Sequence, residues 1–196
     1  MKVAVVDYNA GNVHSVIHAL KNLGVDPVLT DDKVVLTSAD KILFPGVGEA
    51  ATTMKFLREK GLDQFIREVK QPLLGICLGM QLMCSYLEEG DTEGLGIFDT
   101  PVRKFVPNLQ EDKIPHMGWN TLTNLRSDLY QGVDESEFVY FVHSYYVPLM
   151  NRTIAQTNHV LDFSASLRKD NFYAVQFHPE KSGSAGVQIL KNFLLI

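Results

Sequence analysis

The stretch Pro72-Leu73-Leu74-Gly75-Ile76-Cys77-Leu78-Gly79-Met80-Gln81 joins an apolar run, a Gly-x-Cys-x-Gly turn and the beginning of a helical pattern. A short, continuous apolar run is typical of a buried parallel strand. A sharp turn from strand to helix strains its central residue and brings backbone segments too close for side chains, which accounts for the flanking glycines. The stretch therefore predicts a strand-to-helix elbow that presents Cys77 as an exposed, reactive thiol.

Short apolar runs alternate with amphipathic stretches on both sides of this elbow, which is typical of parallel strands joined by crossover helices. Val3 to Val6 is predicted as the first strand, and residues 12–23 as a helix that ends at Gly24. The second half is richer in strand signals, which predicts hairpins that extend the sheet. We expect one domain over residues 1–196, a doubly wound α/β fold whose mostly parallel sheet has flanking helices and added antiparallel strands in the second half.

Two helices follow from the apolar periodicity of the remaining chain. The helix after the elbow is predicted to continue to Glu89, with Cys84 at a core-compatible position on it. A closing helix is predicted over residues 185–195, with Val187, Leu190 and Leu194 on its core-facing stripe.

Composition argues against several classes of protein. Eighteen basic and 23 acidic residues give a net charge of −5, and no cluster of lysine and arginine could follow a phosphate backbone, so we expect no nucleic-acid partner. No segment approaches the ~18 apolar residues of a membrane span. Cys77 and Cys84 are the two cysteines, and neither a CxxC pair nor a histidine cluster offers a metal site. We expect a reduced, cytoplasmic protein without a metal or other cofactor.

A thiol nucleophile needs a base and a group that orients the base, and the segment Gln176-Phe177-His178-Pro179-Glu180 contains both. If this segment ends a strand, His178 and Glu180 leave from the same face, and Pro179 keeps the preceding residue extended. The sequence thus predicts a Cys-His-Glu triad at a helix N-terminus, which favours the thiolate. His143 is the rival base, but it has no carboxylate two residues later, and we interpret it as a strand histidine that lines the site.

The tetrahedral intermediate of such chemistry needs preorganised donors for its oxyanion. One is the backbone N–H of Leu78, directly after the nucleophile. The loop Pro45-Gly46-Val47-Gly48 can supply the second through the N–H of Val47, and we hypothesise that the peptide after Gly46 turns over to switch the hole on. On its own, a Pro-Gly-x-Gly segment is more often simply a tight turn.

Two polar residues of the predicted helix could bind a substrate. Gln81 lies one turn after Cys77 on the same helix face, and a carboxylate at Glu88 or Glu89 could bind the ammonium group of an α-amino acid. The alternative interpretations are a polar residue near a helix N-terminus and a solvated acidic pair.

With these elements the chain resembles the class I (triad) glutamine amidotransferases, which have a flavodoxin-like α/β fold. Within that family it is most similar to the glutaminase subunits of imidazole glycerol phosphate synthases. The similarity extends over nearly the whole chain, through Asp7-Tyr8-Asn9-Ala10-Gly11-Asn12, Pro45-Gly46-Val47-Gly48, the elbow, Pro115-His116-Met117-Gly118-Trp119-Asn120, Phe141-Val142-His143-Ser144-Tyr145 and Gln176-Phe177-His178-Pro179-Glu180-Lys181-Ser182.

This resemblance implies a role for each matching residue. It implies Cys77, His178 and Glu180 as the triad, and glutamine held by Gly48, Gln81, Glu89, Ser144 and Tyr145. It also implies a heterodimer with a cyclase subunit, a (β/α)8 barrel that receives ammonia through a channel. Four residues would face that partner, namely Asn12, Trp119, Tyr140 and Lys181. The products would be imidazole glycerol phosphate and an aminoimidazole carboxamide ribotide, in histidine biosynthesis.

Three other functions remain open from the sequence. The chain could be the glutaminase of another pathway, such as anthranilate, aminodeoxychorismate or pyridoxal phosphate synthesis. It could be a stand-alone thiol hydrolase, which predicts robust turnover by the isolated chain. It could also be a regulatory subunit with a decayed site, although the intact triad residues argue against this.

Overall fold

The computed structural model describes residues 1–8, 13–110 and 112–196, in which strands and helices alternate through the first half of the chain. The strands are β1 (Val3–Val6), β2 (Val28–Thr30), β3 (Lys41–Gly46), β4 (Leu73–Cys77), β5 (Cys84–Leu87), β6 (Thr92–Glu93), β7 (Phe98–Lys104), β8 (His116–Thr121), β9 (Phe138–His143), β10 (Tyr145–Tyr146), β11 (Thr153–His159), β12 (Leu161–Lys169) and β13 (Phe172–Val175). The helices are α1 (Val13–Asn22), α2 (Lys33–Thr37), α3 (Ala50–Lys60), α4 (Leu62–Glu68), α5 (Leu78–Leu82) and α6 (Gly183–Leu195), with 3-10 turns at Asp128–Tyr130 and Pro179–Lys181.

The main sheet has seven strands in the order β11-β12-β13-β4-β3-β1-β2. The pairs from β13 to β2 are parallel, and β11 and β12 add two antiparallel pairs at one edge. This confirms the predicted mostly parallel sheet with antiparallel strands from the second half of the chain.

Helices cover both faces of the main sheet, because successive side chains of a strand point to opposite faces. On β1, Val5 packs in a cluster with Leu20 of α1 and Ile189 of α6. Its neighbour Val6 packs on the other face in a cluster with Met54 of α3. Burial on both faces explains why the parallel strands read as continuous apolar runs.

The other strands of the second half form separate structures, so the prediction that hairpins extend the main sheet holds only in part. β5, β6, β7 and β10 form a four-stranded sheet in the order β10-β7-β5-β6. β8 and β9 form a two-stranded antiparallel pair, which we call the ribbon, with Trp119 opposite Tyr140.

The helix predicted from the elbow to Glu89 is wrong in its length. α5 ends at Leu82, and Cys84 begins β5, which pairs with β6 and β7. Apolar residues here satisfy a helical period, but cross-strand pairing overrides this local preference. Gly94 permits the pairing, since a Cβ at that position would lie 2.2 Å from the carbonyl oxygen of Cys84.

The predicted core stripe of the closing helix is wrong at one position. In α6, Leu190 and Leu194 are buried, whereas Val187 is 49% exposed. The buried face is centred on Gly186, Ile189 and Phe193, and a step of 100° per residue leaves Val187 at its margin.

Candidate active site

The end of β4 and the beginning of α5 form the predicted elbow, with Cys77 at the turn. Cys77 has φ 53° and ψ −110°, a sparsely populated conformation for an L residue that costs on the order of 1–3 kcal/mol. A Cβ on Gly79 would lie 1.9 Å from the carbonyl oxygen of Phe44, and one on Gly46 would lie 2.4 Å from the nitrogen of Gly79. Close approach of β3 to the elbow therefore requires both glycines, which confirms the prediction for the flanking Gly79 and extends it to Gly46.

Cys77 lines a cavity of about 290 Å³ at the carboxyl ends of β3 and β4. The residue is 8% exposed, so the prediction of an exposed thiol is wrong. The loop after β3 and the segment after β9 line the same cavity and shield the elbow, and the carbonyl oxygen of Val142 lies 4.0 Å from the sulfur. The five residues that the resemblance implies for glutamine binding also line this cavity: Gly48, Gln81, Glu89, Ser144 and Tyr145. Glu88, the alternative to Glu89, does not line it, and its Oε2 accepts from the backbone N–H of Lys104 at 2.7 Å.

His178 and Glu180 form a buried pair beside the cavity. Nδ1 of His178 lies 2.7 Å from Oε1 of Glu180, and the two side chains are 3% and 2% exposed. Burial lowers the pKa of His178, but interactions with the sulfur of Cys77 and the carboxylate of Glu180 outweigh it and raise the pKa to about 10. In the described part of the chain, Nε2 of His178 has no other hydrogen-bond partner, so it stays available to the sulfur.

The local geometry of this pair differs from the prediction that both residues lie on one strand. β13 ends at Val175, and Pro179–Lys181 form a 3-10 turn that brings Glu180 back to the imidazole. His178 itself is extended, at φ −100° and ψ 95°, as expected before a proline. Its backbone N–H donates to the carbonyl oxygen of Tyr140 at 2.8 Å, which ties the pair to the ribbon.

His143 lies at the end of β9 and lines the cavity, as predicted for this rival base. Its Nδ1 lies 2.6 Å from the carbonyl oxygen of Tyr145, and its Nε2 lies 3.1 Å from Nδ1 of His116. Burial lowers the pKa of His143 to about 3, and both ring nitrogens are engaged. His143 is therefore poorly suited to exchange protons with a substrate.

The two candidate oxyanion donors are placed differently relative to the cavity. Leu78 begins α5 directly after Cys77 and lines the cavity. The backbone N–H of Val47 instead faces the phenolic oxygen of Tyr8, an interaction that lowers the pKa of Tyr8 against the larger effect of burial, and the Tyr8 hydroxyl donates to the carbonyl oxygen of Pro45 at 2.5 Å. Tyr8 is buried and does not line the cavity, so in this conformation the Val47 N–H is directed at a group outside the cavity lining.

Two of the predicted substrate-binding residues, Glu89 and Gln81, also form hydrogen bonds within the protein. Glu89 follows β5 and not a helix, and its Oε2 accepts a hydrogen bond from the backbone N–H of Ala50 at 3.0 Å. Burial raises the pKa of Glu89, while the bond from Ala50 opposes the rise. Nε2 of Gln81 donates to the carbonyl oxygen of Tyr145 at 3.2 Å and to Oε1 of Gln176 at 2.9 Å.

Gln176 is a residue of this site that the sequence reasoning missed. It is fully buried, and its Nε2 lies 3.6 Å from Sγ of Cys77. Its position two residues before His178, directly after a buried strand, was the available signal, since strand ends are where functional side chains collect in such sheets.

Three of the residues predicted to face a partner lie together on the outer side of the ribbon. Trp119 is 55% exposed and contacts Tyr140 edge to face, at 5.8 Å between ring centroids. Nζ of Lys181 lies 6.0 Å from the centroid of the Tyr140 ring. Met117 and Phe138 add exposed apolar surface to the ribbon that was not predicted. Asn12 lies outside the described residues.

The described residues offer neither a grouped set of metal ligands nor a helix that could cross a membrane. Among residues 1–8, 13–110 and 112–196, no three His, Cys, Asp or Glu side chains are grouped in a way that could hold a metal ion. Over the same ranges, none of the helices combines the length and apolarity needed to cross a bilayer.

Known proteins resemble the chain over its whole length. The profile of the glutamine amidotransferase class-I family matches residues 4–196. The chain belongs to this family. A Bacteroides fragilis (strain YCH46) protein named imidazole glycerol phosphate synthase subunit HisH is 63% identical to this class I amidotransferase over 194 residues, 99% of each chain. The subunit of the same name from Pectobacterium atrosepticum is 45% identical over 196 residues, again 99% of each chain.

Solved structures share the class I amidotransferase fold at lower identity. One glutamine amidotransferase has a TM-score of 0.76 and 22% identity, with 100% of this chain and 98% of that chain covered. PurLQS from Thermotoga maritima has a TM-score of 0.72 and 17% identity, covering 99% and 97%. At these identities the similarity concerns the fold, and it confirms the predicted fold class.

Proposed function

We propose that this chain is the glutaminase subunit of imidazole glycerol phosphate synthase, and that Cys77, His178 and Glu180 hydrolyse glutamine within one domain spanning residues 1–196. The observation that carries the proposal is the 2.7 Å pair of His178 and Glu180, in which His178 lines the same cavity as the strained Cys77. Family membership and the 45–63% identity to HisH subunits support the reaction and the pathway.

The first half of the reaction transfers the glutamyl group to sulfur. The thiolate of Cys77 attacks the side-chain carbonyl carbon of glutamine, and the electron pair of the C=O bond moves to the oxygen. His178, protonated near neutral pH because its pKa is raised to about 10, gives its Nε2 proton to the leaving nitrogen. The C–N bond breaks, ammonia leaves, and a thioester remains on the sulfur.

The second half releases glutamate. Neutral His178 takes a proton from a water molecule, whose oxygen attacks the thioester carbonyl. The C–S bond breaks, the electron pair returns to the sulfur, and the imidazolium–thiolate pair is restored as the glutamyl acid leaves and ionises. Glu180 keeps the proton on Nδ1 throughout, so that Nε2 is always the nitrogen that transfers it.

The oxyanion of each tetrahedral intermediate requires two donors, and we propose the N–H groups of Leu78 and Val47. Because the Val47 N–H faces Tyr8 in this conformation, we propose that the peptide between Gly46 and Val47 turns before the hole is complete. A hole that forms only on demand would keep the enzyme idle without its partner, as the sequence-based hypothesis expects.

The cavity lining suggests how glutamine is held. Gly48 and the segment of Ser144 and Tyr145 offer backbone N–H groups to the substrate carboxylate. Glu89 offers a carboxylate to the substrate ammonium, and Oε1 of Gln81 remains as an acceptor because Nε2 is already used.

The partner proposed for the ribbon is a cyclase subunit with a (β/α)8 barrel. Exposed apolar side chains in one patch, here Met117, Trp119 and Phe138, are typical of docking surfaces. Tyr140 and Lys181 complete this surface, and Asn12 is proposed on the resemblance alone. Free ammonia becomes ammonium in water and loses its nucleophilicity, so a closed channel from Cys77 into the partner fits the chemistry.

The assembled heterodimer would act as a lyase. The cyclase would join ammonia to a phosphorylated ribulosyl substrate, releasing imidazole glycerol phosphate and an aminoimidazole carboxamide ribotide. Both cysteines of the chain are free, which supports a reducing compartment and hence the cytoplasm.

Glutamate release, measured with and without the cyclase subunit and its acceptor substrate, tests the proposal. The wild-type chain should hydrolyse glutamine slowly when alone and rapidly in the complex with the cyclase subunit and its acceptor substrate. C77A should release no glutamate. C84A is the matched control, because Cys84 is buried in the core away from the cavity. Rapid turnover by C77A would contradict the proposal, and so would a wild-type rate that does not change when the cyclase subunit is added.

A further inference from the structure

Gln176 brings a hydrogen-bond donor to the sulfur of Cys77. Its Nε2 lies 3.6 Å from Sγ, a suitable separation for an N–H bond to the large sulfur atom, and the side chain is fully buried. A buried amide keeps its hydrogen-bond partners because no water competes for them. The contact is therefore a permanent feature of the site and not a chance approach.

The amide of Gln176 can donate to the sulfur in one orientation only. Its Oε1 accepts a hydrogen bond at 2.9 Å from Nε2 of Gln81. If the amide were flipped, its NH₂ group would face the NH₂ group of Gln81, and two donors would meet in a buried space. Gln81 thus fixes the side of the Gln176 amide that faces Cys77.

The orientation of Gln81 is fixed in turn by a second acceptor. Its Nε2 also donates to the carbonyl oxygen of Tyr145, which accepts a further bond from Nδ1 of His143. Because a carbonyl oxygen only accepts, Nδ1 carries the proton of His143, and Nε2 accepts from Nδ1 of His116. Every donor in this series of hydrogen bonds, from the ribbon to the sulfur, therefore faces an acceptor.

We propose that Gln176 is a further residue of the reaction, which donates a hydrogen bond to the thiolate of Cys77, stabilises its charge and holds the sulfur for attack. Gln81 and the Tyr145 carbonyl act as positioning groups for this donor. The inference rests on the proposed role of Cys77 as the nucleophile.

Titratable groups also act on the sulfur, and Gln176 complements them. His178 supplies a positive charge, and the phenol of Tyr8 interacts unfavourably with the thiolate when both are ionised. His143 lines the same cavity, and burial lowers its pKa and keeps it neutral. A carboxamide does not titrate, so Gln176 supplies the same donor at every pH at which the enzyme works.

The test is alkylation of Cys77 by iodoacetamide as a function of pH, followed by mass spectrometry on the full chain. Q176M keeps the side-chain length but removes the donor, and Q176E places a carboxylate against the sulfur at nearly constant shape. We expect the pH midpoint of alkylation to rise in both variants, more in Q176E, and kcat for glutamate release in the complex to fall about tenfold or more, with a smaller change in KM. Q64M, on the exposed surface of α4, is the matched control and should leave both quantities unchanged.

Thermal unfolding of each variant separates a chemical effect from a folding defect. If Q176M unfolds early, Q176E carries the test, since it conserves shape and can still accept from Gln81. A folded variant with the wild-type pH midpoint and kcat would overturn the role of Gln176. That outcome is distinct from failure of the proposed function, in which C77A itself would retain glutamate release.

Discussion

At the scale of single residues, we expect Glu180 to determine which nitrogen of His178 carries the transferable proton. Its Oε1 lies 2.7 Å from Nδ1, so the neutral amide in E180Q would keep the shape but lose the charge that stabilises imidazolium. We expect kcat for glutamate release to fall by about 10²- to 10⁴-fold, the usual contribution of acid–base catalysis. E68Q, on the exposed surface of α4, should have no effect, and a fall below threefold in E180Q would contradict the assignment.

Two other histidines act on stability and not on chemistry. Burial lowers the pKa of His116 to about 4 and that of His143 to about 3, whereas both titrate near 6.5 in the unfolded chain. Between about pH 6.5 and 4 the unfolded state therefore binds more protons, so the free energy of unfolding falls as the pH falls, by up to about 1.4 kcal/mol per unit for each histidine.

The raised pKa of His178 acts in the other direction, since its contribution to stability is complete below pH 6.5 and is lost progressively as the pH rises from 6.5 to about 10. Urea unfolding at pH 7 and pH 5 measures the acid effect. H143N should flatten the pH dependence by about half, because one of the two buried neutral imidazoles is gone. An unchanged slope in H143N would contradict this prediction.

At the scale of elements, the loop after β3 is held away from its proposed catalytic conformation by Tyr8. The N–H of Val47 faces the phenolic oxygen of Tyr8, and the hydroxyl donates to the carbonyl oxygen of Pro45. Y8F removes both interactions while keeping the packing of the ring against Phe44. Only the interaction with the Val47 N–H restrains the peptide that must turn, so with about 1 kcal/mol for that interaction the glutaminase activity of the isolated chain should rise about fivefold.

Glutamate release without the cyclase subunit measures this effect. Y130F is the matched control, since Tyr130 is another buried tyrosine whose hydroxyl bonds to Ser166, remote from the cavity. A basal rate in Y8F equal to or below that of wild type would show that Tyr8 does not restrain the loop.

The elements also show which parts of the fold can be predicted from sequence. The elbow at Cys77 depends on local sterics, so the flanking glycines sufficed to predict it. The end of α5 and the beginning of β5 depend on pairing with β7, a long-range contact that the helical period around Cys84 conceals. The hydrogen bond from Gln176 to the sulfur of Cys77 joins residues 99 positions apart, and no local sequence pattern predicts it.

At the scale of the whole molecule, the proposed docking surface and the proposed catalytic pair of His178 and Glu180 are joined by hydrogen bonds to the backbone of Tyr140. Tyr140 lies opposite Trp119 on the ribbon, its N–H donates to Oγ of Ser182 and its carbonyl oxygen accepts from the N–H of His178. A partner bound to the outer face of the ribbon therefore rests on the strand that anchors His178. One backbone hydrogen bond therefore joins Tyr140 of the proposed docking surface to His178, the proposed proton-transfer residue.

The same arrangement predicts the behaviour of W119A. Loss of an exposed aromatic anchor should weaken binding of the cyclase subunit by about 2 kcal/mol, or about 30-fold in Kd. Because Tyr140 and the backbone bond to His178 remain, kcat at saturating cyclase should stay within about threefold of wild type, a difference below about 1 kcal/mol. Calorimetric titration gives Kd, glutamate release gives kcat, and V187A on the exposed margin of α6 is the control. An unchanged Kd would show that the interface does not lie on the ribbon. A loss of kcat at saturating cyclase would show that Trp119 acts on the proposed catalytic pair and not only on docking.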